Sequence, residues 1–341
     1  MRTLVSLVTF NDESLLEACL RSVLAQSTPV HIKIFDNDSR DRTCRIAREF
    51  DLELYRSPRN IGFCAGHNYN LRDGDFESAL LLNADVILAK DYLQQLLAAC
   101  KEVERAGMAG GKLLRMDSEG RPVLRHGLPV LDSAGIYFTP SQRHFDRGSG
   151  EEDRGQYDRR QLVFGITGAA LLCRKEMLEE LRYNGEYLDE DFFAYREDAD
   201  LAWRAQLKGW NAVYEPSAQG FHCRRVLPSR RRRVSLLITY HSVKNRFLMR
   251  AKNMDWAVRK KCFPYLWVRD LGILLYLLCI EWSSLPALVQ IWRLRKTMRA
   301  KRAAVQSSRT TPPHQIASWF AFKPQAREPS PVPIPRPLNN C

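Results

Sequence analysis

The sequence predicts an α/β protein in which a mostly parallel sheet, flanked by helices, is followed by a C-terminal helical extension. Short apolar, β-branched runs alternate with helical-period stretches through the first hundred residues, an order that implies right-handed crossovers. Those runs stop abruptly in Asp and Asn, as Leu80-Leu81-Leu82 stops at Asn83-Ala84-Asp85. Beyond residue 225 the alternation gives way to basic, helical-period sequence.

Residues 4–10 read as a first buried strand, and Asn11-Asp12-Glu13-Ser14 offers a helix start. Leu15, Leu16, Cys19, Leu20, Val23 and Leu24 recur at helical spacing until Pro29. A second strand over 32–35 ends in Asp36-Asn37-Asp38-Ser39; a helix over 43–50 and a strand over 52–55 follow. The glycine-containing stretch Asn60-Ile61-Gly62-Phe63-Cys64-Ala65-Gly66-His67-Asn68 permits close backbone approach to a ligand. It matches neither G-x-G-x-x-G nor the P-loop pattern.

A strand over 78–82 leads to the Asn83/Asp85 pair. In open α/β sheets ligands sit beyond the carboxyl ends of strands, where a carboxylate can hold a divalent cation and the cation a diphosphate. Taken alone, the same pair also reads as an Asn/Asp turn. An amphipathic helix over 92–105 and a strand entry over 108–116 come next. Residues 117–160, rich in Arg, Gly, Asp and Ser, read as a long irregular segment, a length usually functional or disordered. Order returns over 163–173, with Gly165 and Gly168 before an apolar run, and a short helix over 175–182. In Phe193-Ala194-Tyr195-Arg196-Glu197-Asp198-Ala199-Asp200 acidic residues gather at a helix start, where the dipole favours them ionised. That helix ends at Gly209; a strand over 212–214 and then Phe221-His222-Cys223 follow.

The net charge of +13 calls for an anionic partner. Nine cysteines without a C-x-x-C pair read as reduced thiols of a cytoplasmic protein, and the N-terminus lacks a signal-peptide pattern. Residues 271–280 are apolar but too few to span a bilayer, which takes about 20. With Pro286 interrupting the next apolar stretch and six basic residues over 293–302, an interfacial helix pair on anionic lipid is expected. Eight prolines beyond Thr311 suggest a disordered tail. The chain thus divides at 1–225, 226–305 and 306–341.

Four motifs in this order resemble glycosyltransferase family 2, the inverting enzymes of the GT-A, Rossmann-like fold, and most closely their rhamnosyltransferase-like branch. They are Thr9-Phe10-Asn11 with Asp36-Asn37-Asp38-Ser39; the loop from Asn60 to Asn68; Leu82-Asn83-Ala84-Asp85; and residues 193–201 with Arg204. The resemblance spans roughly residues 3–222 and implies roles. Thr9, Asn11, Asp36, Asn60, Gly62, Gly66, Asn68 and Asn83 would bind the donor nucleotide. Asp85 and His222 would hold Mg²⁺ or Mn²⁺, with Asn83 replacing the first carboxylate of the usual D-x-D. Asp198 would be the general base, and Gly165, Gly168 and Glu197 would line the acceptor side. Asp200 and Arg204 read instead as an i, i+4 structural pair. The implied donor is dTDP-L-rhamnose, or failing that a UDP-sugar; the acceptor is a glycan or lipid-linked glycan, at the inner face of the cell membrane. A non-enzymatic basic protein on membrane or nucleic acid would explain the charge but not the acidic strand ends, and no helix-turn-helix, zinc or RNP pattern is present. A nucleotidyltransferase would want a basic glycine-rich loop near the first strand, which residues 9–14 lack.

Overall fold

The computed structural model describes residues 2–72, 74–224 and 236–332. Alternation of fully buried strands with amphipathic helices builds the N-terminal half: β1 (Thr3–Thr9), α1 (Leu16–Leu24), β2 (Val30–Asp36), α2 (Thr43–Arg48), β3 (Glu53–Arg56), α3 (Phe63–Leu71), β4 (Ser78–Asn83), β5 (Val86–Leu88) and α4 (Tyr92–Glu102). β1 is buried at all seven positions, as a central strand covered on both faces must be. Helix α3 falls where the sequence suggested a ligand loop. Its residue Gly66 is close to β1 and β2: a Cβ there would come within about 3 Å of Val8 and Phe35.

The second half adds β6 (Ala106–Arg115), then five short strands, β7 (Leu124–Arg125), β8 (Leu128–Pro129), β9 (Leu131–Ser133), β10 (Ile136–Phe138) and β11 (His144–Asp146). The segment read as irregular is therefore stitched by hairpins, too short for hydrophobic periodicity to show. β12 (Gln161–Val163), β13 (Ala170–Arg174), α5 (Lys175–Leu181), α6 (Glu197–Leu207) and β14 (Asn211–His222) complete the layer. The strand expected over 212–214 continues as one strand through His222, with an irregularity between Glu215 and Gln219.

The main sheet runs β12-β14-β6-β13-β4-β1-β2-β3. β3, β2, β1 and β4 are mutually parallel, while β13 inserts antiparallel between β4 and β6. Register lines up Thr9 with Asp36 and Asp36 with Arg56 at the carboxyl edge. β5 pairs antiparallel with the end of β14 and sets Val86 opposite His222.

The C-terminal helices α7 (Leu236–Asn253), α8 (Trp256–Cys279), α9 (Pro286–Arg293), α10 (Arg295–Ser307) and α11 (Pro313–Ser318) fold back onto this layer. Buried ion pairs anchor them: Lys252 to Asp189 and Asp200, and Lys301 to Asp189 at 2.5 Å. Asp200 also pairs with Arg204 at 2.9 Å, the structural role expected. The expectation of a disordered tail from Thr311 is corrected as far as residue 332. Phe320 is fully buried, 5.3 Å from Phe138 and 5.0 Å from Trp203 between ring centroids. A few large apolar residues among the prolines suffice to dock it.

Among the described residues, α8 is the one helix long and apolar enough to cross a membrane, at about 36 Å. It is longer than the ten-residue run suggested because it continues through Pro264, whose missing bond falls on an exposed turn. Trp267, Val268, Leu271, Leu275 and Leu278 on it are exposed. The run Arg230–Arg233 lies outside the described residues.

Candidate active site

The site opens at the carboxyl edge of β1, β2 and β4, where strands end and backbone groups are released. Asp36, fully buried at the end of β2, accepts from Thr9 Oγ1 (3.1 Å) and the Ser39 backbone N–H (3.0 Å). Arg56 stands 3.8 Å from it. Asn11 Oδ1 accepts from the Arg40 N–H at 2.9 Å. Asn37 joins the next loop by accepting from the Ile61 N–H and donating to the Gly62 carbonyl. Asn60 caps the Gly62 N–H at 2.9 Å. Gly62 has φ +96°, and a Cβ there would strike Phe193, so a residue with a side chain is excluded twice over.

Two residues expected beside the nucleotide are committed to the fold instead. Asn68 is buried, accepts from the Tyr187 and Leu188 N–H groups and donates to the Leu188 carbonyl. Gly66 is the close-packing point of α3 already described. Gly165, expected on the acceptor side, packs on α6: a Cβ there would lie 2.3 Å from that of Ala202. All three sit within a few residues of the site in sequence, but only the packing shows which way they face.

Asp85 follows β4 by two residues. His222, at the end of β14, directs Nε2 to Asp85 Oδ1 at 3.4 Å. Its Nδ1 lies 2.8 Å from Asp132 Oδ2, a carboxylate–histidine arrangement that orients the ring. Burial alone would push His222 down, but its hydrogen bonds with Asp132 and Asp85 raise it to about 9. Asp132 is in turn bound by Arg224 at 2.8 Å and Arg115 at 3.5 Å. The sequence reading missed Asp132; a lone Asp inside Val130-Leu131-Asp132, an apolar run, was its one signal. Asp85 and His222 fit a divalent cation as two protein donors of oxygen and nitrogen type. No group of three His, Cys, Asp or Glu placed to hold a metal ion together exists among the described residues, so phosphate and water oxygens would complete the shell, the usual habit of Mg²⁺.

Asp198 lies in the first turn of α6. Its Oδ2 accepts the Gly168 N–H at 3.0 Å and its Oδ1 the Ala199 N–H at 2.7 Å. One residue on, the Ala169 carbonyl accepts the Asn83 N–H at 2.9 Å. The Gly168–Ala169 segment therefore ties Asp198 to the strand end bearing Asn83 and Asp85. Glu197 is adjacent, and its Oε2 is buried with no hydrogen-bond partner among the described residues. Burial, then the Asp198 charge, pushes Glu197 up to about 8; burial likewise raises Asp198.

The approach to α6 is strained. Phe193, Tyr195 and Arg196 all have φ near +70°. The Asn245 side-chain amide on α7 holds this turn, donating to the carbonyls of Phe192, Ala194 and Tyr195 at 2.7–2.9 Å. Phe193 also stacks on His241 at 4.8 Å. Nothing in the sequence pointed to Asn245, because it is a polar residue inside an ordinary helix.

Carboxylates at the carboxyl edge of the sheet, an Asp/His pair of cation-binding type and a half-buried acidic pair at the start of α6 make up the candidate site of a transferase. Residues 2–249 match the family described as glycosyltransferase like family 2, and the chain belongs to that family. It is a glycosyltransferase. It is 28% identical over 234 residues to an N-acetylglucosaminyl-diphospho-decaprenol L-rhamnosyltransferase of Mycobacterium tuberculosis, covering 63% of this chain and 74% of that protein. The fold is similar to TarS 1–349 of S. aureus, solved with UDP-GlcNAc, at TM-score 0.55 and 16% identity over 93% of this chain and 91% of that one. It is also similar to GalNAc-T7, solved with UDP, GalNAc and Mn²⁺, at TM-score 0.60 and 14% identity over 89% and 55% of the two chains.

Proposed function

We propose that the protein is an inverting transferase that moves L-rhamnose from dTDP-L-rhamnose to a hydroxyl of a lipid-linked glycan, for cell-surface polysaccharide. The sugar and acceptor class are supported by the similarity to the mycobacterial rhamnosyltransferase. The mechanism is supported by one observation above all: the Gly168–Ala169 segment joins the Asp198 carboxylate to the Asn83–Asp85 strand end.

Asp36, held by Thr9 and Ser39, faces the nucleobase, with Asn11 and the Asn60–Gly62 turn beside it. Asp85 and His222 would hold Mg²⁺ or Mn²⁺, which when bound supplies positive charge to the leaving diphosphate. Asp198 accepts the proton of the acceptor hydroxyl. The hydroxyl oxygen forms a new bond to the anomeric carbon from the face opposite the diphosphate. The sugar–diphosphate bond breaks, and the nucleotide diphosphate leaves with its electron pair. Backbone donors from Gly168 and Ala199 aim the Asp198 carboxylate, and Glu197, held protonated by burial near neutrality, spares it a second adjacent charge. The exposed apolar face of α8 and the basic α10 support peripheral attachment to an anionic membrane surface.

The test is transfer from dTDP-L-rhamnose, UDP-GlcNAc and UDP-galactose to an N-acetylglucosaminyl-diphospho-prenol, with the anomeric configuration of the product read by NMR. Rhamnosyl product of inverted configuration is expected. Transfer from a UDP-sugar alone overturns the donor assignment, and retained configuration overturns the mechanism.

A further inference from the structure

A cavity of about 910 Å³ lies behind the acidic pair, between the β10–β11 hairpin and helices α7 and α8. Six arginines line it, Arg115, Arg143, Arg196, Arg224, Arg246 and Arg269, against two acids, Asp146 and Glu151. The imbalance is only partly answered by neighbours. Arg224 pairs with Asp132 and Asp146, Arg115 with Asp132, and Arg246 shares Asp270 with Arg250. Arg196 has no carboxylate within ion-pair distance among the described residues; it meets His144 at 2.9 Å and the Ser242 carbonyl at 3.2 Å. Burial first, and then the neighbouring arginines, hold Arg196 down at about 10 and Arg246 at about 9 against the opposing pull of Asp198 and Asp270.

Among the residues lining the cavity, Arg196 directly precedes Glu197 and Asp198, and Arg224 and Asp146 act on Asp198 electrostatically. Gly272, Ile273 and Tyr276 bring α8 into the same lining, and that helix carries the exposed apolar surface already described. A carboxylate, an arginine cluster and a hydrocarbon surface thus adjoin one cavity. A molecule matching them carries a hydroxyl, a multiply charged anion and an apolar chain. Guanidinium forks suit phosphate oxygens, and several in one cavity suit a diphosphate better than a single phosphate.

We propose that this cavity is the binding subsite for the diphosphate of a lipid-linked acceptor, with the arginines on the diphosphate and α8 along the lipid chain. This rests on the lipid-linked acceptor of the preceding section, and assigns it residues. The donor's own diphosphate is the other source of the same chemistry. It is expected at the Asp85–His222 pair.

The experiment measures equilibrium binding, which requires no knowledge of the donor sugar, so it can fail or succeed independently of the rhamnosyl reading. Full-length protein is titrated with N-acetylglucosaminyl-diphospho-farnesol, the corresponding monophosphate, and the diphosphate carrying a methyl group in place of farnesyl. About tenfold preference for diphosphate over monophosphate is expected, the gain of roughly one further charge-assisted contact. In Arg143→Gln/Arg269→Gln the preference should shrink to about twofold. A general loss of structure would instead weaken both ligands together. Ile273→Ser should reduce the gain from farnesyl over methyl while leaving the diphosphate preference in place. Equal binding of diphosphate and monophosphate by the natural protein overturns the proposal, as does an undiminished preference in the double variant. Competitive displacement of the farnesyl ligand by dTDP with Mg²⁺ would assign the cavity to the donor and overturn it equally.

Discussion

Replacing Asp198 by Asn separates the chemistry of the site from its architecture. The carboxylate accepts two backbone N–H groups, from Gly168 at 3.0 Å and Ala199 at 2.7 Å. Asn offers one carbonyl oxygen in their place, so one of these bonds is lost, a cost of about 1 kcal/mol. Removing a buried charge next to Glu197 offsets part of that, so the fold should survive with its thermal midpoint nearly unchanged. The amide cannot accept a proton at neutral pH, and kcat should fall by about 10²–10⁴. Donor affinity should hold, because Asp36 and the Asn60–Gly62 turn lie elsewhere.

The pH profile adds a second reading. The base acts as the carboxylate, and burial raises it above the ordinary 3.8, so the natural enzyme should lose activity on acidification earlier than an exposed Asp would. Glu197→Gln replaces a carboxyl that is already neutral over that range and should leave the acid limb in place. The same group has a stability signature. Glu197 is raised in the folded protein from 4.5 to about 8, so its contribution to stability is present below pH 4.5 and is lost as pH rises through 8. Glu197→Gln should remove that part of the slope. The assay is single-turnover transfer beside donor Kd for both variants across pH 5–9. Near-natural kcat in Asp198→Asn with a dead Glu197→Gln would assign the proton to the wrong carboxyl. Full activity in both would reduce the acidic pair to a helix start.

Asp85→Ala should abolish Mg²⁺- or Mn²⁺-dependent transfer with little loss of stability, checked against excess chelator on the natural enzyme; full turnover in chelator refutes the cation. Asn245→Ala removes the three-carbonyl clamp on a strained turn and should cost about 2–3 kcal/mol in denaturant unfolding while lowering kcat more than it raises KM. Phe320→Ala, in the tail, should cost about 3–5 kcal/mol by opening a cavity against Phe138 and Trp203, whereas a dispensable tail would show no change. High salt should weaken but not end membrane attachment, since it screens α10 and leaves the apolar face of α8; a requirement for detergent would favour insertion.

The local pattern determined much of this protein. Strand and helix alternation set the sheet, because buried central strands must be continuously apolar and their crossovers amphipathic. The placement of Asp36 and Asp85 at strand ends and of Asp198 at a helix start was legible because acids there interrupt those patterns. What sequence could not supply was direction and distance. Asn68, Gly66 and Gly165 lie in the right motifs, yet packing turns each into the fold. His222 meets Asp85 because β5 runs antiparallel to the end of β14, a pairing between segments well over a hundred residues apart. Asp132, Asn245 and the arginines of the cavity come from widely separated stretches and acquire meaning only when α7 and α8 close over the β10–β11 hairpin. Hydrophobic periodicity reports which face of one element is buried; which partner buries it is a property of the tertiary fold alone.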